Sequence, residues 1–318
     1  FDPETGEQTT ADFEAVIGDR TRLVAMTAAS NLIGTRPPVC SVGRKVHAVG
    51  GLLWVDGVHA TAHKSVDREA LGADFWSCSP YKFLGPHCGV VAADPAVLED
   101  LRIDKLVPAT DDVPERFELG TLPYEVLAGA TAAVDVLADL AGSVADGVGR
   151  RERLATAWEA VHSHESRLRL VLEAGLGELG DRVVMHSRAA DRTPTLLLTF
   201  PGRRSWDAYQ FLSARGIQAP AGSFYAYEPF QRLALADTHG LRVGLAPYTD
   251  ESDVQRLLDG LEGLPTAGSN RPDRQQLDKI ISGLGTRVFM LHNVNQAQPI
   301  IYQTRWAMSY LRGPLTRS

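Results

Sequence analysis

Apolar residues in the first hundred positions come in short runs, at 22–27, 52–55, 74–78 and 89–93, each bounded by Gly, Pro or polar residues. Runs of this length predict strands buried on both faces of a mainly parallel sheet. Residues 11–19 carry a helical pattern, and helical segments separate some of the runs, so the class predicted is α/β. From 124 to 140 the chain is rich in Ala, Val and Leu and reads as a helix, and a long charged helix follows over 148–179. The pattern then changes to strand 195–200, helix 205–215, strand 241–246 and helix 251–261, which predicts a smaller α+β domain. No internal repeat is visible.

Length and composition add bounds. The 318 residues suffice for two domains at about 150 residues each. No stretch approaches the ~18 uninterrupted apolar residues of a spanning helix, so no membrane association is expected. The first residues have neither a basic nor an apolar leader region, so no signal peptide is read there. Cys40, Cys78 and Cys88 lack CxxC spacing and read as free thiols in a reducing cytoplasm. The net charge of −7 argues against nucleic acid as a partner of the whole chain. Charge is unevenly spread, however. Residues 268–318 hold seven Arg or Lys against two Asp, and the stretch 265–272 reads as a linker. The domains expected are therefore a large domain over 1–146, a small α+β domain over 147–264, and a linker with a basic tail over 265–318.

Ligands of an open parallel sheet sit at the carboxyl ends of its strands. Asn31 follows the first run, Asp56 closes the second, and Ser79-Pro-Tyr-Lys82 follows the third. An acid at one strand end and a lysine after another suit pyridoxal phosphate. The amine condenses with the aldehyde, and the carboxylate keeps the pyridine nitrogen protonated. By spacing alone the signal is weak, because an Asp at a strand end is often a turn or helix cap and a lone Lys is usually on the surface. His59 and His63 have HxxxH spacing, but no third ligand accompanies them, so no metal is expected.

The words around these residues are more specific. Ala29-Ser-Asn-Leu-Ile-Gly-Thr35, Val55-Asp-Gly-Val-His-Ala60, Ser79-Pro-Tyr-Lys-Phe-Leu-Gly-Pro-His87, Phe117-Glu-Leu-Gly-Thr-Leu122 and Leu241-Arg-Val-Gly-Leu245 stand in order along the chain. Together they resemble the class V aminotransferases, from the start to about residue 263, and within them a cysteine desulfurase-like subgroup. The resemblance implies a pyridoxal 5'-phosphate enzyme of fold type I that acts on an amino acid or amine, as a transferase or lyase. It implies that Lys82 carries the cofactor as a Schiff base and moves protons at the substrate α-carbon. Asp56 would pair with the pyridine nitrogen and His59 with the phenolic oxygen. Ser79 and Tyr81 would bind the phosphate, Thr121 would reach the phosphate of a partner subunit in a homodimer, and Asn31 would lie near ring and substrate. Arg242 would clamp the substrate carboxylate with its planar fork.

Three departures from the family pattern stand out. Desulfurases use a cysteine on a small-domain loop, and the matching loop at 219–226 has none; Tyr225 stands about where that nucleophile would be. A persulfide-forming mechanism is therefore not expected, while elimination, racemisation, transamination and a cysteine-independent lyase reaction stay open. Family members also carry a long stretch before the point where this chain starts. The large domain is thus expected to lack its N-terminal part, including a ring-stacking residue and a phosphate-holding helix N-terminus. Finally, residues 277–294 and 303–317 resemble a C-terminal segment of HerA-type ATP-binding proteins. No Gly-x-x-x-x-Gly-Lys-Ser/Thr loop accompanies them, so no NTPase activity follows. Two rival readings remain, a non-catalytic fragment of such an enzyme and a DNA-associated protein led by the basic tail.

Overall fold

A computed structural model describes residues 1–145, 147–235, 237, 239–265, 274–285, 288–291 and 300–303. Its first sheet is built from β1 (Leu23–Thr27), β2 (Leu52–Asp56), β3 (Phe75–Cys78) and β4 (Val90–Ala93), in that spatial order. The first three are parallel, and β4 runs antiparallel to β3. Four helices accompany the sheet: α1 (Thr10–Glu14), α2 (Val39–Ala48), α3 (Arg68–Leu71) and α4 (Pro95–Asp100). Val39, Val42 and Val46 recur at helical spacing in α2 and pack with Leu53 and Val55 of β2 into one core cluster.

Burial on both faces is corrected for the outer strands. Leu23 of β1 and Val90 and Val91 of β4 are exposed, because each of these strands has a single sheet neighbour. The helix read at 11–19 is also shorter, since the chain turns after Glu14 and Gly18 accepts a hydrogen bond from the Thr21 amide.

Two helices follow, α5 (Tyr124–Asp139) and the long α6 (Arg150–Glu178). A second, antiparallel sheet has the order β5-β6-β8-β7, with β5 (Val184–Met185), β6 (Thr195–Thr199), β7 (Ala221–Gly222) and β8 (Gly240–Gly244). Around it lie α7 (Ser205–Ser213), α8 (Tyr227–Arg232) and α9 (Glu251–Glu262). Leu168, Leu172 and Leu176, spaced one turn apart on α6, pack with Leu196 and Leu198 of β6 and Leu241 of β8. Leu197 points to the other face of β6, as strand alternation requires. There it joins Leu32, Ile33, Ala226 and Phe230 in a separate cluster. That cluster ties the segment after β1 to the second sheet, which is where the site forms.

Helix α10 (Arg274–Ser282) and the antiparallel pair β9 (Val288–Leu291) and β10 (Ile300–Gln303) complete the described elements. The linker read at 265–272 lies outside the described residues from 266 onward, as does most of the HerA-like stretch. Among the described residues no helix is long and apolar enough to cross a membrane.

Candidate active site

The site grows from adjacent ends of parallel strands. β2 carries fully buried Leu53 and Val55 and ends on exposed Asp56, whose Oδ1 accepts the Val58 amide at 2.9 Å. The next residue is forced to be Gly57. A Cβ there would lie 2.1 Å from the Trp76 ring, and the Gly57 amide donates to the Ser77 carbonyl at 2.8 Å. Asp56 is the register partner of Ser77 on β3. Two residues beyond Ser77 the chain leaves the sheet through Ser79 into a single 3₁₀ turn, Pro80–Phe83. Lys82 sits in that turn, exposed, with its ammonium 5.1 Å from the Tyr81 ring centroid. It makes no hydrogen bond or ion pair among the described residues. Tyr81 is stacked in turn on His87 with centroids 4.7 Å apart.

His59 lies a turn beyond Asp56 and is held by the second half of the chain. Its Nε2 is 2.9 Å from Thr193 Oγ1 and 3.1 Å from Thr195 Oγ1. Burial first, then the positive fields of His63, Arg242 and Lys82, push its pKa down to about 3. The ring is therefore a neutral imidazole at any ordinary pH. Gly34 makes this approach possible: at φ +77° a Cβ would lie 2.8 Å from the Thr193 carbonyl oxygen. On its other side His59 meets the His63 ring at 4.9 Å in an edge-on contact. His63 Nδ1 is 3.1 Å from an oxygen of Glu165, a carboxylate on α6 that is 1% exposed.

Arg242, on β8, closes the other flank. Its Nη1 donates to the Asn31 carbonyl at 3.0 Å, and its guanidinium lies 4.1 Å from the Phe224 ring centroid. Asn31 Nδ2 donates to the Phe224 carbonyl at 3.0 Å, which completes a three-residue knot. Phe224 and Tyr225 both have left-handed backbone, φ 53° and 58°, which costs non-glycine residues free energy and marks a strained loop. Tyr225 projects fully into solvent.

Asp56, Ser79, Tyr81 and Lys82 thus lie at the adjoining ends of β2 and β3, Asn31 and Arg242 form a hydrogen-bonded pair at β8, and His59 feels the charges of both Lys82 and Arg242. Thr121 stands apart in an exposed bend before α5, sharing no hydrogen bond with the others among the described residues. The HxxxH pair is engaged by threonine hydroxyls and a buried glutamate, and among the described residues no cluster of three metal-ligating side chains exists. Sequence reasoning missed Thr193, Thr195, Glu165 and Phe224. Their only local signals were a threonine at a strand start, an acid in the apolar register of α6 and an aromatic in the loop. None of the three free cysteines belongs to the 219–226 loop, and burial raises the Cys78 thiol pKa.

Similarity to known proteins accords with this geometry. The chain is 31% identical over 259 residues to a probable cysteine desulfurase of Pseudomonas putida, covering 78% of this chain and 59% of that protein. The cysteine desulfurase CsdA of Escherichia coli superposes with a TM-score of 0.67 at 24% identity, over 80% of this chain and 61% of that one. A cysteine desulfurase of Thermococcus onnurineus gives 0.69 at 21%, over 83% and 65%. The chain thus spans about three fifths of the length of these relatives. Both structural likenesses carry the fold, which is that of the pyridoxal-phosphate enzymes of fold type I. The family profile for aminotransferase class V matches residues 3–257. This chain belongs to the class V aminotransferase family, whose members depend on pyridoxal phosphate.

Proposed function

We propose that this chain provides the catalytic face of a pyridoxal-phosphate enzyme that acts at the α-carbon of an amino acid or amine without a cysteine nucleophile. The observation that carries the reading is the Lys82 amine. It is unpaired among the described residues, and its charge, like that of Arg242, is felt at the His59 imidazole.

The donor set fits the cofactor. Asp56 offers a carboxylate at a strand end for the pyridine nitrogen. His59 is neutral, and with its Nε2 accepting a hydrogen bond from a threonine hydroxyl its Nδ1–H would donate to the phenolic oxygen. Ser79 and Tyr81 offer hydroxyls for the phosphate. When bound, the cofactor supplies an electron sink for the pair left at the α-carbon. Lys82 would hold the cofactor through its amine and, once displaced by the substrate's amine, would take and return the proton at the α-carbon. Arg242 gives up the Asn31 carbonyl for the substrate carboxylate, a better acceptor for a guanidinium. Phe224 supports one face of that fork and keeps water from it.

Relatives named cysteine desulfurases set the family context, but the loop at 219–226 offers no thiol and burial raises the Cys78 pKa, which favours a thiol-independent reaction. Exposed Val136 and Leu140, one turn apart at the end of α5, support a homodimer in which Thr121, before that helix, serves the neighbouring site. Three free thiols support a cytoplasmic location.

The test is capture of the cofactor. Chain mixed with pyridoxal phosphate is reduced with borohydride, digested and searched by mass spectrometry. A pyridoxyl group on the Lys82 peptide, absent from Lys82→Ala, is expected. Label spread over exposed lysines, or no label, would refute the reading.

A further inference from the structure

Glu165 is the one carboxylate among the described residues that is almost entirely withdrawn from solvent, at 1% exposure, and the function above does not use it. An ionised carboxylate in that position is costly unless it is paired. Its described partner is His63 alone, whose Nδ1 lies 3.1 Å from one oxygen and 3.4 Å from the other. The two residues are 102 positions apart, one on α6 and one after the turn that follows β2, so neither local helix nor local loop requires the contact.

His63 in turn sets its ring edge-on against His59 at 4.9 Å and 61°. On its far side His59 meets the hydroxyls of Thr193 and Thr195, 134 and 136 positions away. A ring free to rotate about two torsions is thus held on one side by threonines of the second half of the chain and on the other by His63, itself held by Glu165. An ionised carboxylate would also fix the partner's proton, since it only accepts and His63 Nδ1 would then be the donor.

We infer that Glu165 and His63 are a positioning pair that orients the His59 imidazole toward the cofactor. Through it, α6 sets the geometry at the ring-binding end of β2. The inference rests on the proposed cofactor function and goes beyond it by naming residues outside the cofactor-binding set. In the same way a carboxylate behind a metal-bound histidine fixes that ring's tautomer and plane, and its loss typically weakens the site ten- to a hundredfold.

The experiment separates the pair from the cofactor reading. Cofactor-free chain labelled with ¹⁵N-histidine reports the proton distribution of the His59 ring nitrogens, with His59→Gln assigning the signals. Glu165→Gln and His63→Asn, checked for a native thermal melt, are expected to shift those signals. They should also raise the pyridoxal phosphate concentration for half saturation by roughly tenfold and displace the visible absorption band of the bound cofactor. Glu165→Asp, which restores the charge, should recover part of the shift. His59 signals that are unchanged in both folded variants would overturn the inference, whether or not the cofactor binds. If Glu165→Gln fails to fold, His63→Asn alone decides by the same signals. Wild-type chain that takes no cofactor on Lys82 would instead overturn the proposed function, while the His59 signals still judge the pair.

Discussion

Arg242 shows how a residue's role is set by what it already holds. Its Nη1 is satisfied by a main-chain carbonyl and its face by Phe224, so it is desolvated and oriented before any substrate arrives. Burial lowers its pKa, yet a guanidinium remains charged. A lysine at this position would keep the charge and lose the planar fork. Arg242→Lys is therefore expected to raise the amino-acid concentration that perturbs the bound cofactor's spectrum by about tenfold, since charge-assisted hydrogen bonds contribute about 1.5–3 kcal/mol. An unchanged midpoint would remove Arg242 from substrate binding. Asp56, Lys82 and Arg242 could each be picked out from sequence because their motif words are local. Glu165 could not, because its meaning depends on a histidine 102 positions away.

At the scale of elements, the turn that joins β2 to the 3₁₀ segment at 60–62 is governed by close packing. Trp76 of β3 lies across Gly57 and donates its indole N–H to Thr61 Oγ1 at 3.1 Å. Gly57→Ala would drive a methyl group into that ring, and overpacking of this kind costs about 1–3 kcal/mol. The expected outcome is a lowered denaturation midpoint together with weaker cofactor binding, because Asp56 and His59 flank the turn. A variant as stable as the parent would show that Trp76 can swing away. Apolar periodicity located most elements to within one to three residues at each end, including β2, β3, α5, α6 and α9. It gave no sign of β5 and β7, which are two residues long and exist only as additions to β6 and β8.

For the whole molecule, buried neutral histidines link stability to pH. His59 titrates at about 3 when folded and near 6.5 when unfolded. Between these values the unfolded chain binds the extra proton, so stability is lost as pH falls below about 6.5. His186, lowered to about 4 chiefly by burial, acts in the same direction. From pH 7 to pH 5 His59 alone contributes a loss of about 2 kcal/mol. Denaturant titrations at the two pH values should show that loss in the parent and a smaller one in His59→Gln. An equal loss in both would mean that His59 is hydrated in solution. The sequence by itself determined the class, the order of the elements and the family words at Asn31, Asp56, Ser79–Lys82 and Arg242. Strand periodicity and turn chemistry act over a few residues and leave a trace at every position. Tertiary structure alone decided that α6 supplies Glu165 to His63, that Thr195 at the start of β6 and Thr193 just before it meet His59, and that Phe224 supports Arg242. Those contacts join residues more than a hundred positions apart in three of the four cases and eighteen in the last, brought together by burial of Leu197 with Leu32 and Ile33 and by packing of α6, which act through space and leave no periodic signal along the chain.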